Sequence, residues 1–181
     1  MRAPLAKAVR SAFERKLNDE LPHFRGVTDL GLPDECRVYE WRAAERCRLY
    51  LMLQLHRQED SFTIEIGWSL KGHWPEDATL PDAPPEATEN GEARFRIGLL
   101  WSENPDVWWD LVPRPSAVPL EAALKDYDSF LEGFGKRPDV SEGLARVEPL
   151  VEDAFSRLRQ HALPYFKKIT TAAGVDLPSK V

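Results

Sequence analysis

Leu49-Tyr-Leu-Met-Leu-Gln-Leu-His56 and Ser61-Phe-Thr-Ile-Glu-Ile-Gly-Trp68, joined by Arg57-Gln-Glu-Asp60, form the stretch on which the fold turns. A turn at 57–60 sets Leu55 opposite Phe62, Leu53 opposite Ile64, Leu51 opposite Ile66 and Leu49 opposite Trp68. Every residue on that face is then large and apolar. The other face receives Tyr50, Met52, Gln54 and His56 against Gly67, Glu65, Thr63 and Ser61. Side chains alternate along a strand, so a slip of one residue would mix the two sets, and burial of the apolar set pins the register. The stretch reads as the central hairpin of an antiparallel sheet.

Further strands are expected at about 36–43 and 94–101, the latter alternating Phe95, Ile97, Leu99 and Trp101 against Arg94, Arg96, Gly98 and Leu100. The first has two readings. A two-residue turn before the hairpin buries Val38 and Cys36, whereas a three-residue turn buries Tyr39 and Trp41. The second offers more apolar area and is preferred. Tight connections between consecutive strands point to an antiparallel meander.

Leu5, Ala8, Val9, Ala12, Phe13 and Leu17 recur at helical spacing, which predicts an amphipathic helix over residues 3–20. Lys7, Arg10, Arg15 and Lys16 fall on its outer face, read as a solvated face rather than a nucleic-acid contact. Residues 26–33 read as a connector. Leu120, Ala123, Leu124, Tyr127, Phe130 and Leu131 predict a second helix. Asp139-x-x-Glu142 has the form of a capping box, opening a third with an apolar stripe of Leu144, Val147, Val151, Ala154, Phe155, Leu158 and Leu163. Pro149 inside it predicts a kink or a restart, and Pro164 opens a short last helix. The fold class is α+β: four or more antiparallel strands, an N-terminal helix, and C-terminal helices packed on the Leu49–Leu55 face.

With 181 residues, 43% of them hydrophobic, the chain reads as one domain over 1–181 that fills its own core. No stretch approaches the ~20 apolar residues of a membrane span. Met1-Arg-Ala-Pro4 lacks the apolar core of a secretory signal, so the expected compartment is the cytoplasm. Cys36 and Cys47 fall too far apart along neighbouring strands for a disulfide and read as free thiols.

Charge is unevenly placed. Between His73 and Ala93 lie six acids (Glu76, Asp77, Asp82, Glu86, Glu89 and Glu92) and no Lys or Arg. Subtracting these six from the 30 acids leaves 24, against 24 bases elsewhere. The body is neutral and the net charge of −6 rides on one segment. That excludes a general polyanion binder, which needs a surplus of cations on one surface. Pro75, Pro81, Pro84, Pro85 and Asn90-Gly91 make residues 70–93 an acidic, proline-rich loop, its low apolar content favouring disorder at the tip. Such a loop suits a basic protein partner.

No phosphate-binding loop, dinucleotide fingerprint, zinc-protease helix or nucleophile elbow occurs, so no cofactor is expected. His23, His56, His73 and His161 lack ligand spacing, and no metal site is expected. Glu65, mid-strand opposite Met52, is the candidate acid/base if its face is covered. Of the tryptophans, Trp109 should turn inward with Val107 and Leu111, leaving Trp108 outward beside Asp110. With Trp74 and Tyr50, Trp108 and Asp110 make up the candidate binding set. The preferred reading is the plainer one, two core or edge aromatics closing the end of the sheet.

Phe62-Thr-Ile-Glu-Ile-Gly67, Trp108-Trp-Asp-Leu111 and Ala162-Leu-Pro-Tyr-Phe166, in this order, resemble a bacterial domain-of-unknown-function family. That family has a Phe-Thr strand ending in Gly, a paired Trp and a Leu-Pro-aromatic turn. This chain carries Glu65 where the family more often shows asparagine. The resemblance implies helices packed on an antiparallel sheet and brings no catalytic residues. The leading expectation is a non-catalytic, cytoplasmic, protein-binding protein of immunity or regulatory type. The alternative is a small-molecule binder or hydrolase-like enzyme with a pocket around Glu65.

Overall fold

A computed structural model of the chain describes residues 1–75, 81–87, 91–102, 105–112 and 139–178. The helix expected over 120–131 lies outside them, as does the expected disorder at 76–80 and 88–90. The elements are α1 (Ala3–Glu20), β1 (Arg25–Val27), β2 (Cys36–Arg42), β3 (Arg48–Leu55), β4 (Ser61–Ser69), β5 (Glu92–Arg96), a 3-10 turn (Ile97–Leu100) and β6 (Trp109–Asp110). Then follow α2 (Val140–Arg157), a π-helical turn (Leu158–Ala162) and α3 (Leu163–Ala172). The fold is α+β, an antiparallel sheet in the order β1-β2-β3-β4-β5 with α1 and α2 packed together on it. No helix of the described residues is long and apolar enough to cross a membrane.

The hairpin register is the one the apolar pattern requires. Leu49 pairs with Trp68, Leu51 with Ile66, Leu53 with Ile64 and Leu55 with Phe62. Trp41 pairs with Leu49 and Tyr39 with Leu51, so both aromatics join the main core. Phe13 of α1 sits 5.5 Å from the Tyr39 ring and 5.1 Å from the Phe155 ring, tying helix to sheet and helix to helix. Three of the outer cations of α1, Arg10, Arg15 and Lys16, are engaged within the chain. Arg15 reaches Glu148 at 2.6 Å, Lys16 bridges Glu20 and Glu152, and Arg10 donates to the Asp34 carbonyl.

Asp139 caps α2, accepting from the Ser141 amide. The helix continues through Pro149 without restarting. Proline deprives the Ala145 carbonyl of its usual donor, and Ala145 and Pro149 both face solvent, where water can take the donor's place. Nor does α3 begin as a separate helix. Pro164 offers no N–H to Gln160, the Leu163 amide reaches back to the Leu158 carbonyl, and the helix widens by one π turn. Leu144, expected in the buried stripe, stays 42% exposed, while the neighbouring Gly143 is buried instead.

Two further expectations are corrected. Arg25–Val27, which overlaps the start of the expected connector, is the edge strand β1, paired through Gly26 and Tyr39. The strand expected over 94–101 ends at Arg96, because β4 shares one edge between two neighbours. Strand β5 pairs with Glu65–Ser69, and β6 pairs with Ser61 and Phe62. Between them Thr63 donates its hydroxyl to the Val107 carbonyl at 2.7 Å. The chain must leave β4 after Arg96 to make room for this return, and the 3-10 turn does so. Gly98 allows the close approach, since a Cβ there would lie 2.5 Å from the Pro105 carbonyl oxygen. Gly98→Ala is expected to cost about 1–3 kcal/mol in denaturant melts through this overpacking. An unchanged midpoint would show that the 97–107 segment yields freely.

The described part of the acidic loop is docked on the body. The Pro85 carbonyl accepts the Tyr165 hydroxyl at 2.7 Å, Glu86 pairs with Lys168 at 3.3 Å, and Ala87 packs on the core.

Candidate functional site

The sheet's second face, away from α1 and α2, gathers most of the candidate residues. Register fixes two adjacent rows across it. One runs Val38–Met52–Glu65–Arg96, the other Glu40–Tyr50–Gly67–Arg94. Among the described residues this face is covered by apolar side chains: Tyr50, Met52 and Val38 form a second apolar cluster with Val27, Leu30, Leu32, Cys36 and Trp74 packed against it.

Glu65 lies at its charged centre, 8% exposed. One carboxylate oxygen faces Arg94 Nε at 3.4 Å and the other faces Arg96 Nε at 3.7 Å. Each guanidinium in turn lies under an indole, Arg94 5.1 Å from the Trp74 ring and Arg96 4.5 Å from the Trp108 ring. Cation–π attraction of this kind strengthens as water is excluded. Trp74 also meets Tyr50 edge-on at 5.0 Å, spanning the gap above Gly67, which carries no side chain between Tyr50 and Arg94. Trp108 donates its indole N–H to Asp106 at 2.9 Å, and Asp106 also faces Arg96 at 3.5 Å. The His56 ring lies against the same indole. The arrangement is therefore a Trp–Arg–Glu–Arg–Trp array rather than two tryptophans in one open patch.

Tyr50 donates its hydroxyl to Glu40 at 3.3 Å, and Glu40 also receives Arg42 at 2.6 Å. Burial, reinforced by the Glu40 charge, pushes the Tyr50 phenol well above its ordinary range. Burial and then the Glu65 charge push the Cys36 thiol up as well, which disfavours the thiolate a nucleophile requires. Trp109 goes inward, stacking 5.4 Å from Phe62 and donating to Asp153 at 2.8 Å, with Leu111 fully buried. Asp110, half-buried, pairs with Ser61 at the far end of the same face, four strand positions from Glu65.

The structure thus brings Glu65, Tyr50, Trp74 and Trp108 to one face and leaves Asp110 at its margin. Sequence reasoning missed Arg94, Arg96 and Asp106. The signal for the first two was present: Arg94 and Arg96 alternate with Phe95, and the β4–β5 register sends both toward Glu65. A general acid or base needs room for the group that exchanges its proton. Four of the cavities that border the described residues, of about 640, 520, 230 and 210 Å³, are lined without Glu65. Among the described residues, no three His, Cys, Asp or Glu side chains converge as a metal site would require. Comparison with known protein families, with curated proteins and with solved structures returns no match.

Proposed function

We propose that the protein works by binding another protein, as an immunity-type or regulatory partner, rather than by catalysis. The observation that carries this reading is the enclosure of Glu65 between Arg94 and Arg96, each capped by an indole. The best candidate for acid/base chemistry is occupied by the protein's own cations, which suits a structural role. The acidic segment between β4 and β5 then supplies long-range attraction for a basic partner, raising association rates in low salt. Glu86 and Glu92 pair with Lys168 and Lys71, and the other four acids of the segment are Glu76, Asp77, Asp82 and Glu89.

The test uses a lysine-rich 15-residue peptide as the basic probe. Saturable binding that weakens with salt, and weakens at least threefold when these four acids become Asn or Gln, is the expected result. Equal binding by the neutralised protein overturns the steering role. A second reading, a small-molecule binder beside Glu65, is favoured by one feature. The cavity of about 520 Å³ is lined by Asp82, Arg96, Leu99, Ser102, Asp106 and two prolines, and so shares Arg96 with Glu65. Concentration-dependent thermal stabilisation by a small carboxylate, lost in Arg96→Met, would favour it over the first.

A further inference from the structure

We infer that the free edge of β1 is a strand-addition site for an extended segment of the partner carrying a lysine or arginine, an inference that rests on the protein-binding reading above. Strand β1 ends the sheet, and among the described residues nothing pairs with its outer side. Alternate backbone groups of an edge strand point outward and can recruit a further strand. Such edges are commonly blunted by brevity or charge, and β1 has both, with three residues and an exposed Arg25. What distinguishes it is the space beside it.

Gly26 pairs with Tyr39 and so points to the α1 side of the sheet. A Cβ at Gly26 would meet nothing within 4 Å. The resulting cavity, about 210 Å³, is lined by Glu14, Leu17, Asn18, Phe24, Arg25 and Tyr39 beside Gly26, and Arg25, opposite Glu40, belongs to the alternate row of the sheet. Its floor is apolar, for Leu17, Phe24 and Tyr39 are all buried. Its rim is polar, with Glu14 and Asn18 exposed on α1. Glu14 accepts the Tyr39 hydroxyl at 3.3 Å and pairs with no cation among the described residues. A larger cavity, about 640 Å³, runs along the same edge, lined by His23 and Trp41 as well as Arg25, Thr28, Glu40 and Arg42.

These features match what an added strand presents. Its side chains alternate between faces, so one enters the Gly26 cavity while its neighbours turn to the other face. A long cationic side chain fits the first cavity best. Its methylene stem can lie against Phe24 and Tyr39 while its charged head reaches Glu14. The backbone supplies the pairing and the cavity supplies the choice of residue.

The test titrates the full chain with a peptide containing Thr-Val-Lys-Val-Thr, and with the same peptide carrying Ala in place of Lys, following backbone amide signals. The expected result is perturbation centred on residues 25–27 and at least tenfold weaker binding of the Ala peptide. Gly26→Val, whose Cβ meets nothing within 4 Å, narrows the cavity and should leave the melting temperature unchanged while weakening the Lys peptide at least tenfold. Glu14→Gln should weaken the Lys peptide and leave the Ala peptide unaffected. Binding indifferent to both variants overturns the edge site. If that binding still falls when the four acids of the loop are neutralised, the protein-binding reading survives and only the edge assignment fails. If no peptide binds saturably, both fail.

Discussion

Leu53→Ala is expected to destabilise the protein by about 2–5 kcal/mol, combining lost burial with the cavity left behind. Leu53 is fully buried, pairs with Ile64 across the central hairpin and belongs to the core cluster that includes Val151 and Phe155 of α2. Neighbouring strands on both sides leave little freedom for the site to collapse. Gln54→Ala, one residue along, is expected to cost less than about 1 kcal/mol. Gln54 is half-buried, and its side-chain carbonyl oxygen is buried without a hydrogen-bond partner, so truncation also removes an unsatisfied group. Urea melts of the two variants supply the comparison. A loss at Leu53 below about 1 kcal/mol would contradict the packing of the hairpin against the helices.

Glu65→Ala should be comparably damaging, at about 3–5 kcal/mol, for a different reason. The substitution deletes the carboxylate between two guanidinium groups whose side chains are only 13% and 19% exposed. Arg94 then loses its counter-charge in a poorly hydrated place, and Arg96 keeps only the exposed Asp106. The cost therefore resides in what is left behind, and the informative control removes the cations too. A triple variant, Glu65→Leu with Arg94→Met and Arg96→Met, is expected to be more stable than the single Glu65→Ala, despite its greater number of changes. It forfeits the stacking on Trp74 and Trp108 and keeps the volume. Additive losses across the three positions would show that the charges do not act as a unit. Glu65→Gln, which retains shape and loses charge, should fall between wild type and Glu65→Ala.

The sequence was readable where one pattern had a single consistent solution. The apolar sets of β3 and β4 admit one register, and the Leu5–Leu17 stripe admits one helix. Strand β1 was not readable, because Arg-Gly-Val is too short to show a period of two. The end of β5 was misread for the opposite reason. Ile97, Leu99 and Trp101 alternate well, but the strand stops because β6 claims the adjoining part of β4, a competition set by residues ten positions later. Of the site, Glu65 and Tyr50 followed from the hairpin. The cover of their face did not, since Trp74 and Trp108 arrive from irregular segments whose paths carry no periodic signal.

The packing of α1 against α2 bears on how the chain is made. The helix α1 leaves the ribosome early with Leu5, Val9, Phe13 and Leu17 on one side, all of them buried in the finished protein. Part of that side can settle on the sheet once β2–β4 have followed. The surface that Phe155 and Val151 cover must wait for α2, about 120 residues further on, which at ~5–20 residues per second is roughly 6–24 s of synthesis. Throughout that interval the apolar strip of α1 lacks the cover that α2 gives it in the finished protein.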